Sequence, residues 1–129
     1  MLIVEDDFVS RKTLQYLIKP YGSSEIAVDG EEALAAFNLA LNQEEPYDVI
    51  FLDIMMPGID GQEVLKEIRK IEAENNIEGL ERVKIIMTTA LDDKKTIMKA
   101  FHSECEGYLV KPVSNDKLVS LLKTLALIE

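Results

Sequence analysis

The amino-acid sequence predicts an α/β fold: a doubly wound sheet of five parallel strands, order 2-1-3-4-5, with five helices covering its two faces. Three observations carry that expectation. Apolar runs of strand length recur along the chain, segments with helical apolar spacing lie between them, and the two kinds alternate without exception. Strict alternation implies parallel strands joined by right-handed crossovers, hence an open sheet covered on both sides, and the order 2-1-3-4-5 is the common five-stranded solution. A length of 129 residues with 47% hydrophobic positions fits a single domain over residues 1–129.

The first strand reads Leu2 to Val4, and the helix after it is marked by Leu14, Leu17, Ile18 and Tyr21. Glu25 to Val28 is a weaker run and reads as an edge strand. Asp29 or Gly30 opens the second helix, whose apolar face carries Ala33, Leu34, Phe37 and Leu41. Val49 to Leu52 is the third strand. Leu65, Ile68 and Ile71 follow at helical spacing, and the acidic, asparagine-containing stretch from Glu72 to Arg82 predicts an extended third helix and then an exposed loop. Val83 to Met87 gives the fourth strand, Ile97, Ala100 and Phe101 the fourth helix, and Tyr108 to Val110 the fifth strand. Ser114 is placed to cap the last helix, which carries Leu118, Leu121, Leu122 and Leu125. No internal repeat, low-complexity tract or interdomain linker interrupts this pattern.

Composition narrows the function classes. Twenty-four acidic against 14 basic residues give a net charge of −10, which repels nucleic-acid phosphates and anionic lipid unless cations cluster, and only Lys94 and Lys95 are adjacent lysines. Direct nucleic-acid or membrane binding is therefore not expected. The single cysteine, Cys105, rules out an internal disulfide, and no apolar run approaches the roughly 20 residues that span a bilayer. A soluble cytoplasmic protein is expected.

The residues after each strand carry the chemistry. They are Glu5 and Asp6, then Asp53, then Thr88 and Thr89, then Lys111, all on the carboxyl edge where sheets of this type place their ligands. Strands one and three are neighbours in the predicted order, so Glu5, Asp6 and Asp53 should converge. At ~4 Å and an effective dielectric near 20, each like-charged pair costs about 4 kcal/mol, so the cluster calls for a cation or for proton uptake. Hard oxygen donors without histidine or thiol favour Mg2+. Lys111 and a threonine hydroxyl could hold phosphoryl oxygens, and Asp53 is the evident nucleophile for an acyl phosphate. The Pro57-Gly58 turn just after it would keep that carboxylate accessible.

With these residues in place, the whole chain resembles the response-regulator receiver family of two-component systems, which has a flavodoxin-like fold, and in particular its chemotaxis-type single-domain members. The resemblance rests on Leu2-Ile3-Val4-Glu5-Asp6-Asp7, the block from Asp53 to Gly61, Met87-Thr88-Thr89-Ala90 and Tyr108-Leu109-Val110-Lys111-Pro112, in the family's order. It implies phosphorylation of Asp53, direct magnesium ligation by Asp6, Asp53 and the Met55 carbonyl, and a water-mediated role for Glu5. Thr89 matches the switch hydroxyl, Lys111 the phosphate-binding lysine, and Tyr108 the aromatic that turns on phosphorylation; Lys111-Pro112 is a bond the family usually holds cis. Asp7 is the alternative to Asp6, and Thr88 the alternative to Thr89; the order of residues after the apolar run prefers Asp6, and the flanking Ala90 prefers Thr89.

The resemblance implies a phosphoacceptor switch that catalyses only its own phosphorylation and dephosphorylation. The donor would be a phosphohistidine on a sensor histidine kinase or histidine phosphotransfer protein, meeting a surface near Leu14 and Leu17. The fourth helix, fifth strand and fifth helix would form the switching face, which could also support a homodimer; the output partner is not legible. Met55 and Leu91 would lie over the attacking water, and both are apolar, so a long-lived acyl phosphate is expected. Two rivals are weighed. A magnesium-dependent aspartyl phosphatase needs a second aspartate two positions after the nucleophile, where Met55 stands. The other is a non-phosphorylated binding module of the same fold. His102, the only histidine, is expected to be structural or exposed, and so not a phosphorelay histidine. The end at Glu129 fits either a stand-alone regulator or an excised domain.

Overall fold

The computed structural model describes residues 1–89 and 105–128. Five strands, β1 (Leu2–Val4), β2 (Glu25–Ala27), β3 (Val49–Asp53), β4 (Lys84–Thr89) and β5 (Gly107–Val110), form one parallel sheet in the order β2-β1-β3-β4-β5. Among the described residues there are four α-helices: α1 (Phe8–Ile18), α2 (Gly30–Asn42), α3 (Gly61–Glu74) and α4 (Asn115–Thr124). The predicted helix around Ile97, Ala100 and Phe101 lies outside the described residues.

The alternation of side chains along each strand builds two cores from one sheet. Leu2, Val4, Ile50, Leu52, Ile85 and Met87 face α2 and α3, against Phe37, Val64, Leu65 and Ile68. Ile3, Phe51, Ile86 and Leu109 face the other way, against Leu14 and Ile18 of α1 and Leu118 and Leu122 of α4. Strands buried on both sides read as unbroken apolar runs, which is why β1, β3 and β4 were legible without any alternation of polarity. Each fully buried Leu, Ile or Phe contributes roughly 1.5–3 kcal/mol.

Caps fix where the helices begin. Asp7, Asp29, Asp60 and Ser114 each accept a hydrogen bond from the backbone N–H three residues on, at 2.9, 2.8, 3.0 and 3.2 Å. Asp29, not Gly30, is therefore the cap of α2. α1 stops at Ile18, and Tyr21, predicted to continue it, sits in a 3-10 turn entered through Pro20. Glu44, Asn76 and Ala126 end their helices with φ near +58°.

The strand ends differ slightly from the sequence reading. β4 starts one residue later and runs on through Thr88 and Thr89, and β3 takes in Asp53, because the parallel ladder pairs Asp53 with Thr88. These residues are the last of their strands rather than the first of their loops.

The stretch predicted as an exposed loop is exposed at Leu80 but anchored by a buried ion cluster. Arg69 Nη1 meets Glu72 Oε1 at 2.6 Å and the Val83 carbonyl at 3.0 Å, while Arg69 Nη2 is bidentate to Glu106 at 2.8 and 2.9 Å. The two carboxylates in turn accept from the backbone N–H groups of Val83 and Ile85, at 2.8 and 2.6 Å. This ties α3 to the starts of β4 and β5, at the edge of the sheet opposite Asp53.

Candidate functional site

The carboxyl ends of β1, β3, β4 and β5 lie side by side, so the residues that close or follow them share one edge. Beyond the strands, the Ile54 N–H donates to the Thr88 carbonyl at 3.0 Å and the Lys111 N–H to the Thr89 carbonyl at 2.6 Å. The Lys111-Pro112 bond is cis. These continuations of the ladder fix the backbone from which Asp53 and Lys111 project.

Glu5, Asp6 and Asp53 each offer a carboxylate oxygen within 4.8 Å of the others. Lys111 Nζ pairs with Glu5 Oε1 and lies 3.2 Å from Asp53 Oδ2. The Met55 N–H donates to Asp53 Oδ1 at 3.2 Å, and the Asp7 N–H to Glu5 Oε2 at 3.1 Å. Arg11 Nη1 donates to the Glu5 carbonyl at 3.2 Å, closing the start of α1 onto the site. Asp6 is exposed while Glu5 and Asp53 are buried, so the cluster opens to solvent on the Asp6 side.

Among the described residues, the Lys111 ammonium pairs with two of the three carboxylates, Glu5 and Asp53, and the proton equilibria reflect that imbalance. Burial first, then the hydrogen bond to Glu5, push Asp53 up to about 7, although Lys111 pulls the other way. Glu5 is held below its ordinary value: burial alone would raise it, but Lys111, Asp53 and the Asp7 N–H together outweigh burial. Lys111 is raised, since the two carboxylates outweigh its own burial. A divalent cation at the Asp6 side would relieve the repulsion that raises Asp53. The donor set is all oxygen, which fits magnesium.

Of the residues singled out in the sequence, Glu5, Asp6, Asp53 and Lys111 come together. Asp7 does not join them, because its carboxylate is engaged as the α1 cap. Thr88 and Thr89 are both buried and point to opposite faces of the sheet: Thr88 shares the side of Asp53 and Leu109, Thr89 that of Met87 and Tyr108. Met55 is exposed, and Leu91 and His102 lie outside the described residues. Leu14 is core, so it forms no surface; the exposed apolar residues of α1 are Phe8, Val9 and Tyr16, with Arg11 and Lys12 over the Phe8 ring at 5.4 and 5.7 Å. The sequence reading included Gly61 as the end of the Asp53 to Gly61 block but assigned it no part of its own.

A five-stranded doubly wound sheet with an acid cluster and a lysine at its carboxyl edge defines a class of phosphate-handling switch domains. The chain belongs to the response regulator receiver domain family, whose model matches residues 1–123. It is 39% identical over 126 residues to a probable transcriptional regulator, ycf29, of Porphyra purpurea, covering 97% of this chain and 55% of that protein. It is 34% identical to the transcriptional regulatory protein ResD of Bacillus subtilis, over 97% of this chain and 47% of that protein. The chain thus spans about half the length of these relatives. Among solved structures it is similar to a mutant receiver domain of the histidine kinase CKI1 from Arabidopsis thaliana, with TM-score 0.84, 28% identity and 97% and 87% of the two chains covered. The chemotaxis protein CheY4 of Vibrio cholerae is also similar, with TM-score 0.75, 27% identity and 96% and 95% covered. The general function of the family, acceptance of a phosphoryl group in two-component signalling, is that of this chain.

Proposed function

We propose that this chain, acting as one domain over residues 1–129, accepts a phosphoryl group on Asp53 from a phosphohistidine of a sensor kinase or phosphotransfer protein, in a magnesium-dependent step. The observation that carries this reading is the convergence of Glu5, Asp6 and Asp53 with the ammonium of Lys111 at the carboxyl edge. An oxygen of Asp53 forms the new bond to phosphorus as the bond to the histidine nitrogen breaks, and the imidazole keeps the electron pair. Asp6, Asp53 and the Met55 carbonyl would hold the metal, with Glu5 acting through water; the ion would supply positive charge for the phosphoryl oxygens. Lys111 neutralises a further oxygen, and the hydrogen bond from the Met55 N–H orients the Asp53 carboxylate.

Thr89 is assigned the switch hydroxyl because it shares a face of the sheet with Tyr108, whereas Thr88 lies on the other. Phosphorylation would draw Thr89 toward the phosphoryl group and leave room for Tyr108 to turn, remodelling the surface of β5 and α4 together with the helix predicted between β4 and β5. That surface is the proposed contact for the output partner or for a second copy in a homodimer. The phosphodonor is assigned to the exposed α1 residues Phe8, Val9 and Tyr16 beside the site. Similarity to the sensor protein GacS, of which the chain covers 13%, supports a histidine-kinase pathway. No helix among the described residues is long and apolar enough to cross a membrane, and a cytoplasmic setting is part of the proposal.

Incubation with a small acyl phosphate tests the reading. Magnesium-dependent labelling that disappears in Asp53→Asn is expected. A folded protein that takes no label would be a binding module, and turnover of many phosphate esters per chain would make it a phosphatase. Thr89→Ala should accept phosphate but bind partner no better when phosphorylated; normal partner binding by that variant would overturn its switch role.

A further inference from the structure

We infer that Gly61 is a positioning residue for the phosphoryl site: its missing side chain lets the first turn of α3 seat directly on the Asp53–Ile54 peptide. The inference rests on the phosphoacceptor reading above and adds to it what holds Asp53 and Met55 in register. A Cβ at Gly61 would lie 2.1 Å from the Asp53 carbonyl oxygen, and 2.9 Å from both the Asp53 carbonyl carbon and the Ile54 Cα. These are backbone atoms of the central strand and of the residue after it, and they cannot swing aside as a side chain could.

Gly61 also donates its N–H to the Ile54 carbonyl at 3.0 Å. The bond closes the loop from Ile54 to Asp60, which contains the Met55 carbonyl assigned to the metal and the Met55 N–H that holds Asp53 Oδ1. Gly61 is the first residue of α3, and the Asp60 cap locks that turn in place. Gly58 in the same loop is different in kind: its φ is +77° and a Cβ there would meet nothing within 4 Å among the described residues. Gly58 answers a need for conformation, Gly61 a need for space. Any side chain at position 61 must lift α3 off the strand end or push the Asp53–Ile54 peptide, and both movements displace the Asp53 carboxylate from the Met55 carbonyl that would hold the metal with it.

Magnesium titration by calorimetry, on the unphosphorylated chain, tests this without relying on activity. Gly61→Ala should raise the magnesium dissociation constant about tenfold, the scale of losing a supporting contact behind a metal ligand. Gly107→Ala serves as the packing control, because the nearest atoms to a Cβ there belong to the Leu121 side chain, at 2.9 Å, and it should lower stability while leaving magnesium affinity at the parent value. A folded Gly61→Ala with parent affinity would overturn the inference. Should that variant not fold, Asp60→Glu decides: it keeps the charge but is too long to cap, and should weaken magnesium about threefold, whereas Asp29→Glu at the cap of α2 should not. Equal affinity in both cap variants would overturn it equally. A parent that binds no magnesium strikes down the phosphoacceptor reading itself, and this inference with it.

Discussion

Replacing Asp53 by Asn in metal-free buffer should stabilise the fold above neutral pH. The residue is 3% exposed, shares the Lys111 ammonium with Glu5, and has its carboxyl raised from 3.8 to about 7 by burial and by Glu5. A carboxyl raised that far corresponds to about 4 kcal/mol between its protonation states. The site opens to water beside Asp6, and solvent there screens the charge, so the expected gain is about 1–2 kcal/mol, or roughly 4–8 °C in Tm. The sign follows from proton counting. Between pH about 4 and about 7 the native state binds more protons at this position than the unfolded chain, so stability present below pH 4 is lost as pH rises through 7. The parent and Asp53→Asn should therefore have equal stability near pH 4, diverge up to pH 7 and stay separated at pH 8. Urea denaturation in EDTA across that range measures it, and magnesium should close the gap by stabilising the parent. If Asp53→Asn is no more stable than the parent at pH 8, or if the difference does not change with pH, the electrostatic account of the cluster is wrong.

Arg69→Met should lower stability by about 3 kcal/mol in the same urea assay, because buried Glu72 would lose its cation, while part-buried Glu106 keeps only Arg82 at 3.7 Å. A loss under 1 kcal/mol would show that the cluster holds nothing together. Ala126→Gly and Glu44→Gly should each raise stability by roughly 0.5–1 kcal/mol, since both residues end helices at φ near +58°; unchanged urea midpoints would count against strain there. Met55→Asn combined with Leu91→Glu should speed loss of phosphate from Asp53, because side chains that can hydrogen-bond the attacking water replace apolar ones. An unchanged dephosphorylation rate would remove the basis for a long-lived acyl phosphate.

The strands most easily found were those buried on both faces. Leu2 to Val4 and Val49 to Leu52 are apolar at every position because helices cover both sides, and their short length and branched side chains set them apart from buried helix. The grouping of the candidate site was legible for a related reason. In a parallel sheet every strand delivers its next residues to one edge, so Glu5, Asp6, Asp53 and Lys111 could be grouped from their places in the chain alone. Asp7 and Leu14 show the limit: one is a helix cap and the other is core, and each of these roles depends on where α1 sits on the sheet.

The sequence by itself determined the order of elements, the edge where the acids and Lys111 gather and the kinds of side chain found there, because these follow from local periodicity and parallel connection. Tertiary structure alone decided the rest. Arg69, Glu72 and Glu106 look like solvated charges in the sequence, yet they form one largely buried cluster, since ion pairing between residues up to 37 positions apart leaves no local pattern. Which threonine faces Tyr108 is set by strand register, in which one step reverses every side chain. The need for glycine at position 61 arises from the closeness of two backbones, a distance that no spacing of residues along the chain encodes.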